Sequence, residues 1–178
     1  DNTGVGLNYK QVNNVIELGE SVYNNGHQSY HIKVPKTTAL IIKYTGFQGG
    51  DILIRDVNQE IEISAQSSPI KLENVTGPVV ANTLGATIEA IFGKVNQDSP
   101  ISITSTGGEI DITLPSNTPA NLQLNAMGGN VFTDLDIDSG ESKGRANANH
   151  NFAVKLNGGG VDLQLHSLGG NIYLRKAQ

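Results

Sequence analysis

Between Asp51 and Ala90 an aliphatic residue recurs every nine positions: Ile52, Ile61, Ile70, Val79 and Ile88. Each has a small or apolar companion two residues on, namely Ile54, Ile63, Leu72, Ala81 and Ala90. This step of two is the period of a strand, whose side chains alternate between faces, and not that of a helix. In wider context the period doubles to eighteen, because Asp51-Ile-Leu-Ile-Arg-Asp-Val57 aligns with Pro69-Ile-Lys-Leu-Glu-Asn-Val75. After a slightly longer connection, Ile101/Ile103 and Ile110/Ile112 repeat the nine-residue step. Such repeats bury their apolar face by stacking on one another over a shared core. The pattern therefore predicts an all-β chain, a right-handed β-helix or β-solenoid-like stack of short strands with Gly-rich corners.

Outward positions agree with that stacking. At an eighteen-residue repeat Arg55 falls beside Glu73, and Lys71 beside Glu89. Opposite charges on adjacent strands support such a register, and like charges would oppose it. A longer repeat relates His31-Ile-Lys-Val-Pro35-Lys-Thr-Thr38 to Asp111-Ile-Thr-Leu-Pro115-Ser-Asn-Thr118. Each is read as a strand ended by proline, where a missing N–H does least harm. Both lead on to a Gly-Gly-x-(Ile/Val) tag, which occurs at Gly49, Gly107, Gly128, Gly158 and Gly169. Each pair is read as a tight corner before a strand. The domain reading is thus a β-solenoid over residues 29–178, in two related halves of about 30–105 and 110–178. Residues 1–28, less patterned, are read as an N-terminal segment capping an open end of the stack.

Composition narrows the function classes. The 21 glycines and abundant Asn suit short strands and tight turns. With a net charge of −5 and 12 scattered Lys and Arg, no nucleic-acid partner is expected. No apolar run approaches the roughly 20 residues of a spanning helix, so no membrane span is expected. The chain opens at Asp1 without a signal-peptide pattern and is read as mature or trimmed. With no Cys there is neither disulfide, thiolate nucleophile nor thiolate metal ligand.

These motifs resemble the bacterial putative-adhesin family of β-strand-repeat domains, which is related to the head domain of auto-transporter adhesins. Ile32-Lys-Val34-Pro35 resembles the family's opening strand. Gly128-Gly-Asn-Val-Phe-Thr-Asp-Leu-Asp-Ile137 resembles its hairpin-like excursion. Gly158-Gly-Gly-Val-Asp-Leu-Gln-Leu-His-Ser-Leu-Gly-Gly-Asn-Ile-Tyr-Leu174 resembles its closing segment. The resemblance covers about residues 30–176. It implies a stacked β-helix-like fold, an exported chain in the cell envelope, and an adhesin-like role toward an unknown glycan or protein ligand at the cell surface. It brings no catalytic residues.

Reactive constellations are not found in the sequence. His27 and His31, four apart ahead of a predicted strand, would stand about 13 Å apart on one face, too far to share a metal. His150 lies in the Asn-rich stretch 145–151, and His166 alternates with Leu163 and Leu165, so it faces outward. The Gly-Gly tags run into strands, whereas a phosphate cradle runs into a helix N-terminus. A carbohydrate-active lyase or glycosidase on a β-helix is the rival reading; it needs convergent carboxylates, and acidic residues here are mostly single. Tyr9, Tyr23, Tyr30, Tyr44 and Phe47 crowd the N-terminal third, the first place to look for a ligand-gripping surface. Asp134, Asp136 and Asp138 alternate with Leu135 and Ile137. They are read as the solvated face of a strand, with calcium binding as the alternative. Ser139 and Arg145 stand where an EF-hand loop needs Gly and Glu. No catalytic, cofactor or metal residues are assigned, and no cofactor. The function expected is a non-enzymatic envelope binding or structural module; a β-rich cytoplasmic assembly or sensory domain is a third, weaker possibility.

Overall fold

The computed structural model describes residues 3–4, 6–20, 29–46, 50–137 and 151–178. The chain divides into two compact units, Asp1–Lys33 and Val34–Gln178. The first holds an antiparallel hairpin of β1 (Leu7–Val12) and β2 (Val15–Glu20), with Val12 opposite Val15. Asn13 makes the turn at φ 54°, a left-handed conformation that Asn tolerates. Tyr9, Val12, Val15, Ile16 and Leu18 of this hairpin are exposed.

The second unit contains β3 (Leu40–Tyr44), β4 (Ile52–Arg55), β5 (Ile61–Ala65), β6 (Ile70–Val75), β7 (Val79–Thr83), β8 (Ile88–Phe92), β9 (Ile101–Ser105), β10 (Ile110–Leu114), β11 (Ala120–Ala126), β12 (Val131–Thr133), β13 (Asn151–Leu156), β14 (Val161–Ser167) and β15 (Ile172–Lys176). No helix occurs among the described residues. Successive strands from β3 to β12 alternate between two sheets. One has the order β13-β11-β14-β9-β7-β5-β3, and the other β12-β15-β10-β8-β6-β4. Every pair is parallel except β11 with β13. One strand from each sheet makes a layer, and adjacent layers stack through the parallel ladders.

The nine-residue rows are columns of this stack. Ile52 is opposite Ile70, and Ile70 opposite Ile88; Ile61 is opposite Val79. Inward and outward positions alternate, so Ile61, Ile63, Ile70, Leu72, Ile88, Ala90, Ile101, Ile103, Ile110 and Ile112 are all fully buried. Parallel sheets usually have both faces covered and read as unbroken apolar runs. Here one face of each is polar, so the sequence alternates. At the first layer Leu40, Ile42, Tyr44 and Ile52 are only partly buried, because β3 and β4 are the terminal strands of their sheets.

The order of layers departs from the order of the chain. β9 and β10 are followed in sequence by β11 and β12, yet they do not pair with them. The last two strands occupy the space between: β14 lies between β9 and β11, and β15 between β10 and β12. Ile101 and Ala120 thus begin strands that flank the later β14, through the registers Ile101–Leu163 and Ala120–Val161. β13 covers the far edge of β11 before the chain crosses to β14 over residues 157–160. Asn157, Gly158 and Gly159 make that crossing at φ 50°, 84° and 88°. The Asn157 side-chain amide donates to the carbonyls of Ser116 and Thr118, tying it to the segment that enters β11.

This separates the glycine tags into two kinds. Gly158-Gly-Gly is a left-handed crossing. Gly107-Gly108, Gly169-Gly170 and Gly128-Gly129 stack as one column of corners. A Cβ on Gly170 would lie 2.6 Å from the Gly108 carbonyl oxygen, and one on Gly129 2.5 Å from that of Gly170. Two of these corners carry a buried serine clamp. Ser105 Oγ donates to the Ala86 carbonyl and accepts from the Gly108 N–H, both at 2.9 Å. Ser167 Oγ repeats this toward Gly108 O at 3.1 Å and Gly170 N at 3.0 Å. The sequence form is Ser-x-Gly-Gly, with Ala126 in the serine's place at the third corner.

One expected strand is absent. Residues 29–39 are described and include no strand, although Ile32-Lys-Val34-Pro35 was expected to open the series. A lone β-pattern needs a ladder partner, and Ile32 and Val34 are exposed rather than inward. Gly49 lies outside the described residues.

Two outcomes follow from the stack. Ile70→Ala removes a fully buried side chain between two neighbours in its column and is expected to destabilise the fold by about 2–5 kcal/mol, whereas outward Lys71→Ala leaves the denaturation midpoint near that of the parent. Ser167→Ala leaves a corner N–H and carbonyl unsatisfied and is expected to lower stability by roughly 1–3 kcal/mol in urea denaturation.

Candidate functional site

The two solvent-facing sheet faces differ in chemistry. On the six-stranded sheet the outward side chains pair with one another. Arg55 bonds Glu73, and Lys71 Nζ lies 3.3 Å from Glu73 and 3.2 Å from Glu89. Across the sheet Arg175 makes a two-pronged contact with Asp111, at 2.7 and 2.8 Å. Phe132 and Tyr173, opposite each other on β12 and β15, stack with ring centroids 5.3 Å apart. The Arg175 guanidinium lies 5.1 Å from the Tyr173 ring centroid. Asn171 joins Glu109 to the Tyr173 hydroxyl. Aromatic faces and charges on this side are therefore occupied by their neighbours.

The seven-stranded sheet presents a different surface. The outward residues of β9, β14 and β11 include two rows of three, Ser102–Gln164–Gln123 and Thr104–His166–Asn125, and beside them the pair Asn121–Asp162, in which the amide donates to the carboxylate at 2.9 Å. The two rows line a shallow groove of about 220 Å³. Their groups are hydroxyl, carboxamide and imidazole, with Leu165 also in the lining; among the described residues no carboxylate, ammonium or guanidinium lines the groove. Asn125 Oδ1 and His166 Nε2 are sealed from solvent and have no hydrogen-bond partner among the described residues. The two residues are direct register partners on β11 and β14. The inserted last layer thus builds the groove, because β14 supplies its middle column.

The residues singled out in the sequence do not come together in one place among the described residues. His166 faces outward, as expected, and lies in the groove. Tyr9 stands exposed on the hairpin, and Tyr30 donates to the Gly6 carbonyl at 3.4 Å within the same unit. Tyr44 ends β3 and packs against the core of the second unit, so it is structural. His31 is exposed. His27, His150, Tyr23, Phe47 and Asp138 lie outside the described residues, as do Ser139 and Arg145. Over its described part, residues 134–137, the acidic alternation is not a strand: β12 ends at Thr133, and Leu135 turns inward. One oxygen of Asp134 accepts the Lys176 N–H at 2.6 Å, which pins the end of β15. The paired row a strand needs is missing beyond Thr133, because the β12–β15 ladder closes at Thr133–Leu174.

Gln123, Asn125, Ser102 and Thr104 were not singled out from the sequence. Their only signal is the uncharged polar character of the outward positions that follow Asp162 on β14 and Asn121 on β11, together with those of β9. It becomes visible once β14 is known to lie between the other two.

No protein-family model matches the chain, and no curated protein matches it. Among solved structures the chain is similar to a putative cell adhesion protein from Clostridium sporogenes ATCC 15579, with a TM-score of 0.56 and 12% identity over 96% of this chain and 76% of that one. At this identity the likeness is one of fold. No helix among the described residues is long and apolar enough to cross a membrane.

The paired face sets a pH dependence. The Arg55 guanidinium, hydrogen-bonded to Glu73, holds that carboxyl below its ordinary range; Lys71 adds to this, and burial opposes it. A carboxyl depressed on folding stabilises above its unfolded pKa, and the contribution disappears as pH falls through the folded value. Melting temperature is therefore expected to fall on acidification through the carboxylate range, and Glu73→Gln to remove part of that slope. An unchanged slope in Glu73→Gln contradicts the pairing.

Proposed function

We propose that the chain is a non-enzymatic binding or structural module of the cell envelope, exported and adhesin-like, built as a right-handed β-solenoid. The observation that carries this reading is the stack itself: parallel layers in constant register, each presenting two rows of side chains to solvent on faces set by the fold. Such a scaffold displays chemistry over a rigid surface. The Clostridium sporogenes protein of like fold, described as a putative cell adhesion protein, supports the role by analogy of fold. The resemblance of the Gly158–Leu174 segment to the closing segment of the putative-adhesin family supports it from the sequence side.

The lining of the groove is suited to binding rather than to bond cleavage. Hydrolysis of a glycoside calls for two carboxyl groups about 5–10 Å apart, and lyase chemistry for a base beside a neutralising cation. Hydroxyl and carboxamide groups hold a ligand by hydrogen bonds but supply no acid–base pair. The surface partner expected is a glycan or a protein.

The purified chain is expected to bind at least one component of an array of bacterial and host glycans and matrix proteins. It is also expected to release no product from polysaccharide or ester substrates. Turnover that disappears on changing one acidic residue overturns the non-enzymatic reading, and an array with no saturable binder overturns the adhesin-like one.

A further inference from the structure

Asn125 and His166 lie side by side on neighbouring strands, each with a polar atom that has no hydrogen-bond partner among the described residues. A sealed polar atom without a partner is unfavourable, and native structures leave few of them. Here the two residues that carry such atoms are register partners, and both line the groove. Both side chains end in a torsion that is broad and roughly two-fold, which leaves each able to turn its terminal group toward a ligand. The group that satisfies both must donate to a carboxamide oxygen and also pair with an imidazole nitrogen. A hydroxyl does either, since it carries one donor and two acceptor sites.

The surroundings select among hydroxyl-bearing ligands. Ser102, Thr104, Gln123 and Gln164 complete a grid of six side chains with no formal carboxylate, ammonium or guanidinium among them. Adjacent strands put the columns about 4.8 Å apart, and the alternation puts the two rows about 6.5–7 Å apart. That grid spans one or two sugar rings. An extended peptide is the wrong occupant. β9, β14 and β11 are each paired on both sides, so no free strand edge is offered for backbone addition. A folded protein partner is also a poor match, because a stable interface buries some 1,200–2,000 Å² around an apolar core. The groove is small and its lining mainly polar.

From this we propose that the outer face of β9, β14 and β11 is a glycan site. It takes a neutral saccharide, with Asn125 and His166 anchoring adjacent hydroxyl groups and Gln123, Gln164, Ser102 and Thr104 reading the rest. The proposal deepens the envelope-binding reading and rests on it.

The test uses the intact chain, labelled with ¹⁵N, and three neutral probes: cellohexaose, maltohexaose and chitohexaose. A polygalacturonate oligomer serves as the charged comparison. At least one neutral probe is expected to give saturable shifts centred on residues 102–104, 123–125 and 164–166. Asn125→Ala and His166→Ala are each expected to weaken it by about tenfold, the loss that one or two neutral hydrogen bonds confer. Glu89→Gln, on the other sheet, is expected to bind as the parent does. Circular dichroism and thermal melts of each variant establish that the fold is intact. Should either Ala variant fail to fold, Thr104→Ala and Gln123→Ala take its place, with the same expected direction. The proposal is overturned if no neutral probe shifts these residues at millimolar concentration. It is equally overturned if only the charged oligomer binds, or if the folded variants bind like the parent. A positive array result together with a silent groove removes this site and leaves the envelope-binding reading standing.

Discussion

The parallel ladder between layers is the interaction on which the rest depends. It holds Ile52, Ile70 and Ile88 in one column and Ile61 and Val79 in another, so each inward side chain rests on its counterpart above and below. A slip of one residue in any layer would turn its apolar set to solvent. The corners are built to the same repeat. Asp56 and Asn74, both left-handed at φ 58° and 53°, stand one above the other, with the Asn74 amide donating to the Asp56 carboxylate at 2.6 Å. Thr76 donates in the same way to Asn58. Asn and Asp recur there because they tolerate the left-handed conformation and carry polar ends that can pair between layers.

Insertion of the last layer gives the stack a non-sequential closure. β11 and β12 cannot lie on β9 and β10, since the final strands come between them. The chain's last strands therefore link two parts of the sheet that would otherwise present unpaired edges to each other. Those contacts are among the most distant in sequence that the fold makes, and such contacts form slowly because loop closure must precede them. The serine clamp at Ser167 and the Asn157 strap both belong to this late segment, and each hydrogen-bonds to a neighbouring layer. The polar groove is a product of the same insertion, because His166 and Gln164 reach Asn125 and Gln123 only through it.

Much of the architecture was legible in the sequence, for a physical reason. One exposed face per parallel strand forces alternation, and constant layer length forces a constant period, so both appear directly in residues 51–112. The neighbours Arg55–Glu73 and Lys71–Glu89 follow from that period alone. The insertion was not legible. Ile101 to Leu163 and Ala120 to Val161 are registers between segments with no common period, and nothing local in β11 says which strand precedes it in space. The five Gly-Gly tags looked equivalent for the same reason; three share one stacked column, whereas Gly158 serves a crossing. The opening strand at Ile32 and the acidic strand at Asp134 were misread because alternation by itself does not supply a ladder partner. The groove stayed hidden because its six residues come from three separate stretches and none is chemically unusual alone.

The absence of cysteine in the chain allows a direct measurement of the layer order. Cysteines placed at Ser102 and Gln164, register partners on adjacent strands, fall within the separation a disulfide bridges; cysteines at Ser102 and Gln123 stand two strands apart, about 9–10 Å, beyond that reach. Mild oxidation of the folded protein is predicted to cross-link the first pair and leave the second reduced, with both variants melting close to the parent before oxidation. Rapid cross-linking of Ser102→Cys with Gln123→Cys, and none of the other pair, would show that β11 stacks directly on β9 and that the inserted layer is wrong.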